Sequence, residues 1–213
     1  MILYDYWRSS SAWRVRIALH WKGIAFERRV VNLIKDGGEQ YSDEFRALNP
    51  LRQVPVLIPG EGARPIAQSM AILAYLEERF PTPPLLPADP WLRARARQLA
   101  EMVNAGIQPF QNLAGLTRLK ELGVDANAWA RDFNVRGLAA LEAASQETEG
   151  TFLVGDAPSL ADVYLIPQLY AARRWSVDLA PYPTLLRVEA ACATLPAFVA
   201  AHADAQSDAV RAP

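Results

Sequence analysis

One cysteine, Cys192, and two histidines, His20 and His202, are all that the 213 residues offer for thiol or soft-metal chemistry. A lone cysteine forms no internal disulfide and no CxxC redox or zinc pair, which suits a reducing compartment and makes the cytoplasm the expectation. Two histidines so far apart form no metal cluster, so no metal is expected, and Cys192, in an alanine-rich stretch, reads as a small core residue. Charge of one sign is also missing. With 22 Lys and Arg against 23 Asp and Glu the formal net charge is -1, so no basic field gathers nucleic acid or an anionic membrane. An anionic substrate must then be held by a few placed arginines. No long apolar run is present either: the opening Met1-Ile2-Leu3-Tyr4-Asp5 has no basic region and leads into no apolar stretch, and reads as neither signal peptide nor membrane span. No internal repeat is visible. What remains, 51% hydrophobic and 21% charged residues, suits an ordinary globular protein with enough apolar surface for a core.

Ile2 to Tyr6 reads as a strand, and Arg8-Ser9-Ser10-Ser11 supplies turn and N-cap chemistry before an apolar helix from Trp13 to Trp21. In that helix Trp13, Ile17 and Trp21 form one stripe and Val15, Ala18 and Leu19 another, with Arg14, Arg16 and His20 as the polar positions. So little polar surface implies cover on more than one side. Phe26 to Asn32 reads as a second strand and Asp43 to Leu48 as a short helix stopped before Asn49-Pro50. Val54 to Ile58 and Arg64 to Ile66 form a hairpin around Pro59-Gly60-Glu61-Gly62, and Ser69 to Phe80 an amphipathic helix. Residues 1–81 are therefore expected to be a small α/β domain in the order βαβαββα. Prolines at 81, 83, 84, 87 and 90 mark a stiff linker over 82–90. Residues 91–213 lack strand alternation and read as an all-α bundle, with helices near Trp91 to Leu119, Ala126 to Glu147 and Ser159 to Arg173 and shorter ones after them. Arg93, Arg95 and Arg97 read as a solvated helix face. Ser159-Leu160-Ala161-Asp162 is a Ser-x-x-Asp capping box and is assigned to folding.

Trp7-Arg8-Ser9-Ser10-Ser11-Ala12-Trp13-Arg14-Val15-Arg16-Ile17 resembles the N-terminal signature of zeta-class glutathione transferases. Further strings follow in the same order: Asn32-Leu33-Ile34-Lys35-Asp36-Gly37-Gly38-Glu39-Gln40, Leu48-Asn49-Pro50, Gln53-Val54-Pro55-Val56-Leu57, Gln68-Ser69-Met70, Gly106-Ile107-Gln108-Pro109-Phe110-Gln111-Asn112-Leu113 and Val177-Asp178-Leu179-Ala180-Pro181-Tyr182-Pro183. The series spans nearly the whole chain. It implies a thioredoxin-like domain followed by a helical domain, a homodimer, glutathione as cofactor and no role for a nucleic acid or membrane partner. The implied activity is cis–trans isomerisation of maleylacetoacetate, in aromatic amino acid catabolism, by reversible thiolate addition. Alternatives inside the same site are maleylpyruvate isomerisation and glutathione transfer to α-haloacids, and in another class a non-catalytic glutathione-binding adaptor. One departure stands out: Ser11 occupies a position where the family usually has cysteine, so no protein thiol serves the site.

The resemblance also distributes roles. Free thiols ionise near pH 8.5, so the protein has to stabilise the sulfur anion; Ser9 is the expected donor, with Ser10 and Ser11 adding hydroxyl or amide groups. Capping and turn-filling alone would equally explain three serines here. Arg8 and Arg174 are the expected guanidinium partners of the substrate's carboxylate-like ends. Val54, before a proline that can be cis, would meet the peptide backbone of glutathione, and Gln68 with Ser69 its γ-glutamyl carboxylate at a helix start. Gln40, Gln108, Asn112, Leu113 and Ala114 match further contact positions of the family.

Overall fold

In a computed structural model describing residues 1–210, β1 (Ile2–Asp5), α1 (Ser10–Trp21), β2 (Glu27–Val30), α2 (Asp43–Leu48), β3 (Val56–Ile58), β4 (Ile66–Ala67) and α3 (Ser69–Arg79) follow one another as expected from the sequence. The last three residues of the stretch read over 91–213 lie outside the described residues. The sheet is mixed, with strand order β2-β1-β3-β4. β2 runs parallel to β1, whereas β3 is antiparallel to both β1 and β4. Two of these helices start where a side-chain oxygen meets orphan amides: Ser9 caps α1, and Ser42 caps α2. This is the thioredoxin-like half of the glutathione transferase fold.

Register decides what this sheet presents at its edge. Tyr4 pairs with Val56, and Val56 with Ala67. The turn after β1, the Val54-Pro55 step before β3 and the Gln68-Ser69 step after β4 therefore emerge at the same end of the sheet. Three sequence-distant segments meet there by pairing alone.

Burial of α1 goes further than the sequence suggests. Residues 12 to 19 are all buried, including Arg14 and Arg16, each at 0% exposure. These two arginines stood as polar positions; they are instead internal fastenings. Arg16 Nη1 bonds both Asp5 carboxylate oxygens at 2.7 and 2.9 Å, its Nη2 the Trp7 carbonyl at 2.9 Å and its Nε the Ala201 carbonyl at 3.0 Å. That last bond accounts for a difference from the proline-based boundary. Packing divides the chain into Met1–Pro84 with the segment from Leu195 onward, and Leu85–Thr194. Residues 195 onward, read as part of the helical region, join the first unit because α9 (Pro196–Ala201) lies against α1.

The second unit is all-helical. The single helix expected from Trp91 to Leu119 is three pieces: α4 (Pro90–Asn104), a 3-10 turn (Gln108–Gln111) and α5 (Leu113–Glu121). A glycine that allows a close backbone approach and a proline stand at the break. A Cβ at Gly106 would lie 2.5 Å from the Met102 carbonyl oxygen, and Pro109 has no N–H to continue the ladder. Asp89 caps α4 ahead of Pro90, and Asp125 caps α6 (Ala126–Ser145). Arg95, read as solvated, instead donates to the Ala144 carbonyl at 2.7 Å and pairs with Glu147 at 3.1 Å, at the C-terminal end of α6. α7 (Leu160–Arg174) and α8 (Pro183–Cys192) complete the unit. Cys192 is buried, and burial pushes its thiol pKa up.

The capping box at the start of α7 forms as read. Asp162 Oδ2 accepts the Ser159 amide at 2.7 Å and the Ser159 hydroxyl at 3.0 Å, while Oδ1 accepts the Leu153 amide at 2.9 Å. Complete burial outweighs these donors and lifts the carboxyl to about 6. The native state thus holds this proton more tightly than the unfolded chain, where an aspartate titrates near 3.9. The stabilising contribution of the bound proton is full below that value and lost as pH rises through 6. The stability gap between the wild type and Asp162→Ala is expected to be about 2 kcal/mol larger at pH 4.5 than at pH 7.5. Urea unfolding of both proteins at the two pH values measures it; a gap that widens with pH contradicts the assignment.

Candidate active site

Ser9 is the last residue before α1 and closes a tight turn, its amide donating to the Tyr6 carbonyl at 2.9 Å. Its Oγ accepts the Ala12 amide at 3.2 Å. A serine hydroxyl has one proton and two lone pairs, so the oxygen that caps the helix keeps its proton for another acceptor. The capping role and the thiolate-donor role are therefore compatible in one side chain. Around it, Ser10 and Ser11 begin the first turn, where N–H groups point out along the helix axis and the dipole favours an anion. That turn, Ser10-Ser11-Ala12-Trp13, carries no charge of its own. Arg8, half-buried, stacks over the Trp7 ring at 5.4 Å.

At the same end of the sheet lie the other residues that the resemblance assigned in this unit. Val54-Pro55 is cis and buried. Gln68 stands before α3 with φ +70 and ψ 117 and makes no side-chain cap. A non-glycine residue there costs about 1–3 kcal/mol, a kind of strain that concentrates at ligand sites. Ser69 follows, nearly fully buried, and its Oγ accepts from Arg14 Nη1 at 3.2 Å. The guanidinium occupies one lone pair of the Ser69 hydroxyl and so restricts where its O–H bond points. Arg14 is a contributor that local sequence did not announce.

Gln40 completes this group. Its Nε2 donates to the Leu33 carbonyl at 3.3 Å, while its Oε1 is buried with no hydrogen-bond partner among the described residues. A buried acceptor left over in this way is costly unless a donor arrives. Gly38 makes the arrangement possible: it sits at φ +109, and a Cβ there would lie 2.4 Å from Gln40 Nε2. An extended peptide with amide donors, two carboxylates and a thiol matches what these residues offer, so glutathione fits the chemistry of this end of the sheet. The uncharged α1 start suits an anion, Val54 has a backbone edge, and Gln40 Oε1 is a buried acceptor.

The remaining assigned residues belong to the second unit. Gln108 and Asn112 are joined to each other, Nε2 to Oδ1 at 2.5 Å, across the 3-10 turn. Leu113 and Ala114 open α5, both exposed, and Arg174 is the last residue of α7, exposed with its guanidinium 5.7 Å from the Trp175 ring centre. Behind them lies a feature that spacing could not reveal, three carboxamides closed into a ring. Asn134 Nδ2 donates to Gln111 Oε1 (2.8 Å), Gln111 Nε2 to Gln168 Oε1 (3.1 Å) and Gln168 Nε2 to Asn134 Oδ1 (2.6 Å). Trp175 Nε1 adds a fourth bond to Gln111 Oε1 at 3.0 Å. The ring ties the 3-10 turn bearing Gln108 to α6, α7 and the residue after Arg174.

Among the described residues no group of three or more His, Cys, Asp or Glu could hold a metal ion, and no helix is long and apolar enough to cross a membrane. Residues 8–79 match the family model described as glutathione S-transferase, N-terminal domain. The chain is 49% identical to the maleylacetoacetate isomerase of Rattus norvegicus over 209 residues, 97% of this chain and 94% of that protein. A crystal structure of maleylacetoacetate isomerase from Anaeromyxobacter dehalogenans, with GSH bound in its active site, superposes with a TM-score of 0.90 at 56% identity, covering 98% of this chain and 97% of that one. A holo structure of maleyl pyruvate isomerase, described as a bacterial zeta-class glutathione S-transferase, gives a TM-score of 0.93 at 45% identity, covering 99% and 100%.

Proposed function

This chain belongs to the zeta class of the glutathione transferase family, and from that premise we propose that it is a glutathione-dependent isomerase that converts maleylacetoacetate to fumarylacetoacetate. The observation that carries the reading is the helix start at Ser9, an uncharged first turn with a hydroxyl proton to give, in a chain similar along its length to maleylacetoacetate isomerases. Glutathione bound there supplies a thiolate that adds reversibly to the cis double bond, which can rotate as a single bond until the sulfur leaves again. In this reading Ser9 donates to the sulfur, and Ser10 and Ser11 add the dipole of the helix start. Gln68 and the Ser69 hydroxyl hold the γ-glutamyl carboxylate, with Arg14 fixing the hydroxyl's direction. Val54 meets the peptide edge, Gln40 accepts an amide proton, and Gln108, Asn112, Leu113 and Ala114 complete the contacts. Arg8 and Arg174 pair with the anionic ends of the substrate.

Maleylpyruvate is the second substrate to consider, because a maleyl pyruvate isomerase is among the structures this chain resembles at 45% identity. Glutathione transfer to α-haloacids uses the same thiolate. A reducing cytoplasm and a homodimeric state belong to the same proposal, supported by the one buried cysteine and by the family, respectively. Isomerisation of maleylacetoacetate and maleylpyruvate, assayed side by side with and without glutathione, tests the reading. Glutathione-dependent turnover with the higher kcat/KM on maleylacetoacetate is expected. Turnover that ignores glutathione contradicts it, and turnover on neither substrate contradicts it and leaves the adaptor reading.

A further inference from the structure

We propose that Asp208 is a positioning residue for the turn that presents Ser9, acting through the backbone of Trp7. The inference rests on the assignment of Ser9 above. Trp7 and Arg8 are the central residues of the turn closed by the Ser9 amide on the Tyr6 carbonyl. Both polar groups of Trp7's own backbone are taken by charged side chains. Its N–H donates to Asp208 Oδ2 at 3.1 Å, and its C=O accepts from Arg16 Nη2 at 2.9 Å. Asp208 lies 201 positions from Trp7 in sequence, so the contact is tertiary and specific.

The carboxylate is itself held. Arg28 Nη2 donates to Asp208 Oδ1 at 2.9 Å while its Nε donates to Asp5 Oδ2 at 2.7 Å, and Asp5 receives Arg16 from the other side. Two arginines and two aspartates balance in charge. Asp5 and Arg16 side chains are fully buried, and those of Arg28 and Asp208 are 16% and 14% exposed. Such a group of charges tolerates little movement, because each charge loses a partner if any of them shifts. Trp7 is two residues from Ser9, and small displacements of a positioned group carry a large kinetic penalty. The quartet therefore fixes where the Ser9 hydroxyl points, in addition to stabilising the unit.

Asp208→Ala and Asp208→Asn separate positioning from stability. The asparagine keeps an acceptor for the Trp7 N–H and gives up the charge that Arg28 needs. At a temperature well below unfolding, Asp208→Ala is expected to lower kcat about tenfold with the KM for glutathione changed much less, as for a misplaced catalytic group. In the ligand-free protein its Trp7 amide should exchange with solvent faster by a similar factor. Asp208→Asn should recover most of kcat and of the Trp7 protection although its melting temperature falls alongside that of the alanine variant. A purely structural role predicts lowered melting temperatures in both with kcat unchanged in both, and that result overturns the proposal, as does an asparagine no better than alanine. Failure of the underlying functional reading is seen separately, in a wild-type protein whose turnover does not require glutathione.

Discussion

Ser9→Ala is expected to lower kcat/KM by about ten- to a hundredfold, because a hydroxyl donating to a charged sulfur contributes about 1.5–3 kcal/mol and one pKa unit corresponds to about 1.4 kcal/mol. The complication is that Ser9 also caps α1, accepting the Ala12 amide at 3.2 Å. An alanine cap costs about 1 kcal/mol of stability, whereas glycine at the same place costs only a few tenths. Ser9→Gly therefore isolates the chemistry: it keeps the helix start nearly intact and removes the proton donor. The two variants should lose turnover together while only the alanine protein melts measurably lower, by about 2–4 °C. Steady-state kinetics and thermal melts on the three proteins decide the point. Full activity in Ser9→Gly moves the donor to Ser10 or Ser11.

Arg16→Met should be the most damaging single change to the fold. Arg16 is fully buried and bonds the Asp5 carboxylate and the carbonyls of Trp7 and Ala201. Methionine fills much of the volume and answers none of these acceptors. Removing one partner of a buried ion pair costs about 3–5 kcal/mol, since the other charge stays behind without water. For a chain of this length that is a drop in melting temperature of about 6–20 °C. Asp5 retains Arg28 at 2.7 Å, which keeps the loss from being larger. Replacing both members, Asp5→Leu with Arg16→Met, should recover part of it, because no unpaired charge remains. A double variant less stable than Arg16→Met would show that the pair does not act as a unit.

The same residue shows where sequence reading stops. Turn, cap and strand order follow from local chemistry, so the βαβαββα order, the Ser9 turn and the Ser159–Asp162 box were legible from it, whereas the Val54-Pro55 step came only with the family resemblance. Arg14 and Arg16 were not, because a charge in a helix reads as a solvent-facing position until its buried partners are known, and those partners lie at Asp5, Ser69 and Ala201. The carboxamide ring of Gln111, Asn134 and Gln168 was hidden for a similar reason, since three amides spread over 57 positions carry no local period. Helix patterning over 91–119 overlooked the break because an otherwise helical composition outweighs the single Gly106 and Pro109 that stand at it. Segment 195 onward was assigned by proximity in sequence, whereas α9 packs on α1 and Asp208 reaches Trp7. The residues assigned to the candidate site rest on the family likeness, and the register of the sheet explains how those in the first unit come to share one end.

Everything in the functional reading depends on the α1 start making a sulfur anion easier to form. Ultraviolet titration of the thiolate of glutathione bound to the wild-type protein measures this without turnover. The expected midpoint lies about one to two pH units below the value near 8.5 of a free thiol, and it should return toward that value in Ser9→Gly. A bound thiol that ionises at the same pH as in free solution, or a wild-type protein that fails to bind glutathione, contradicts the account.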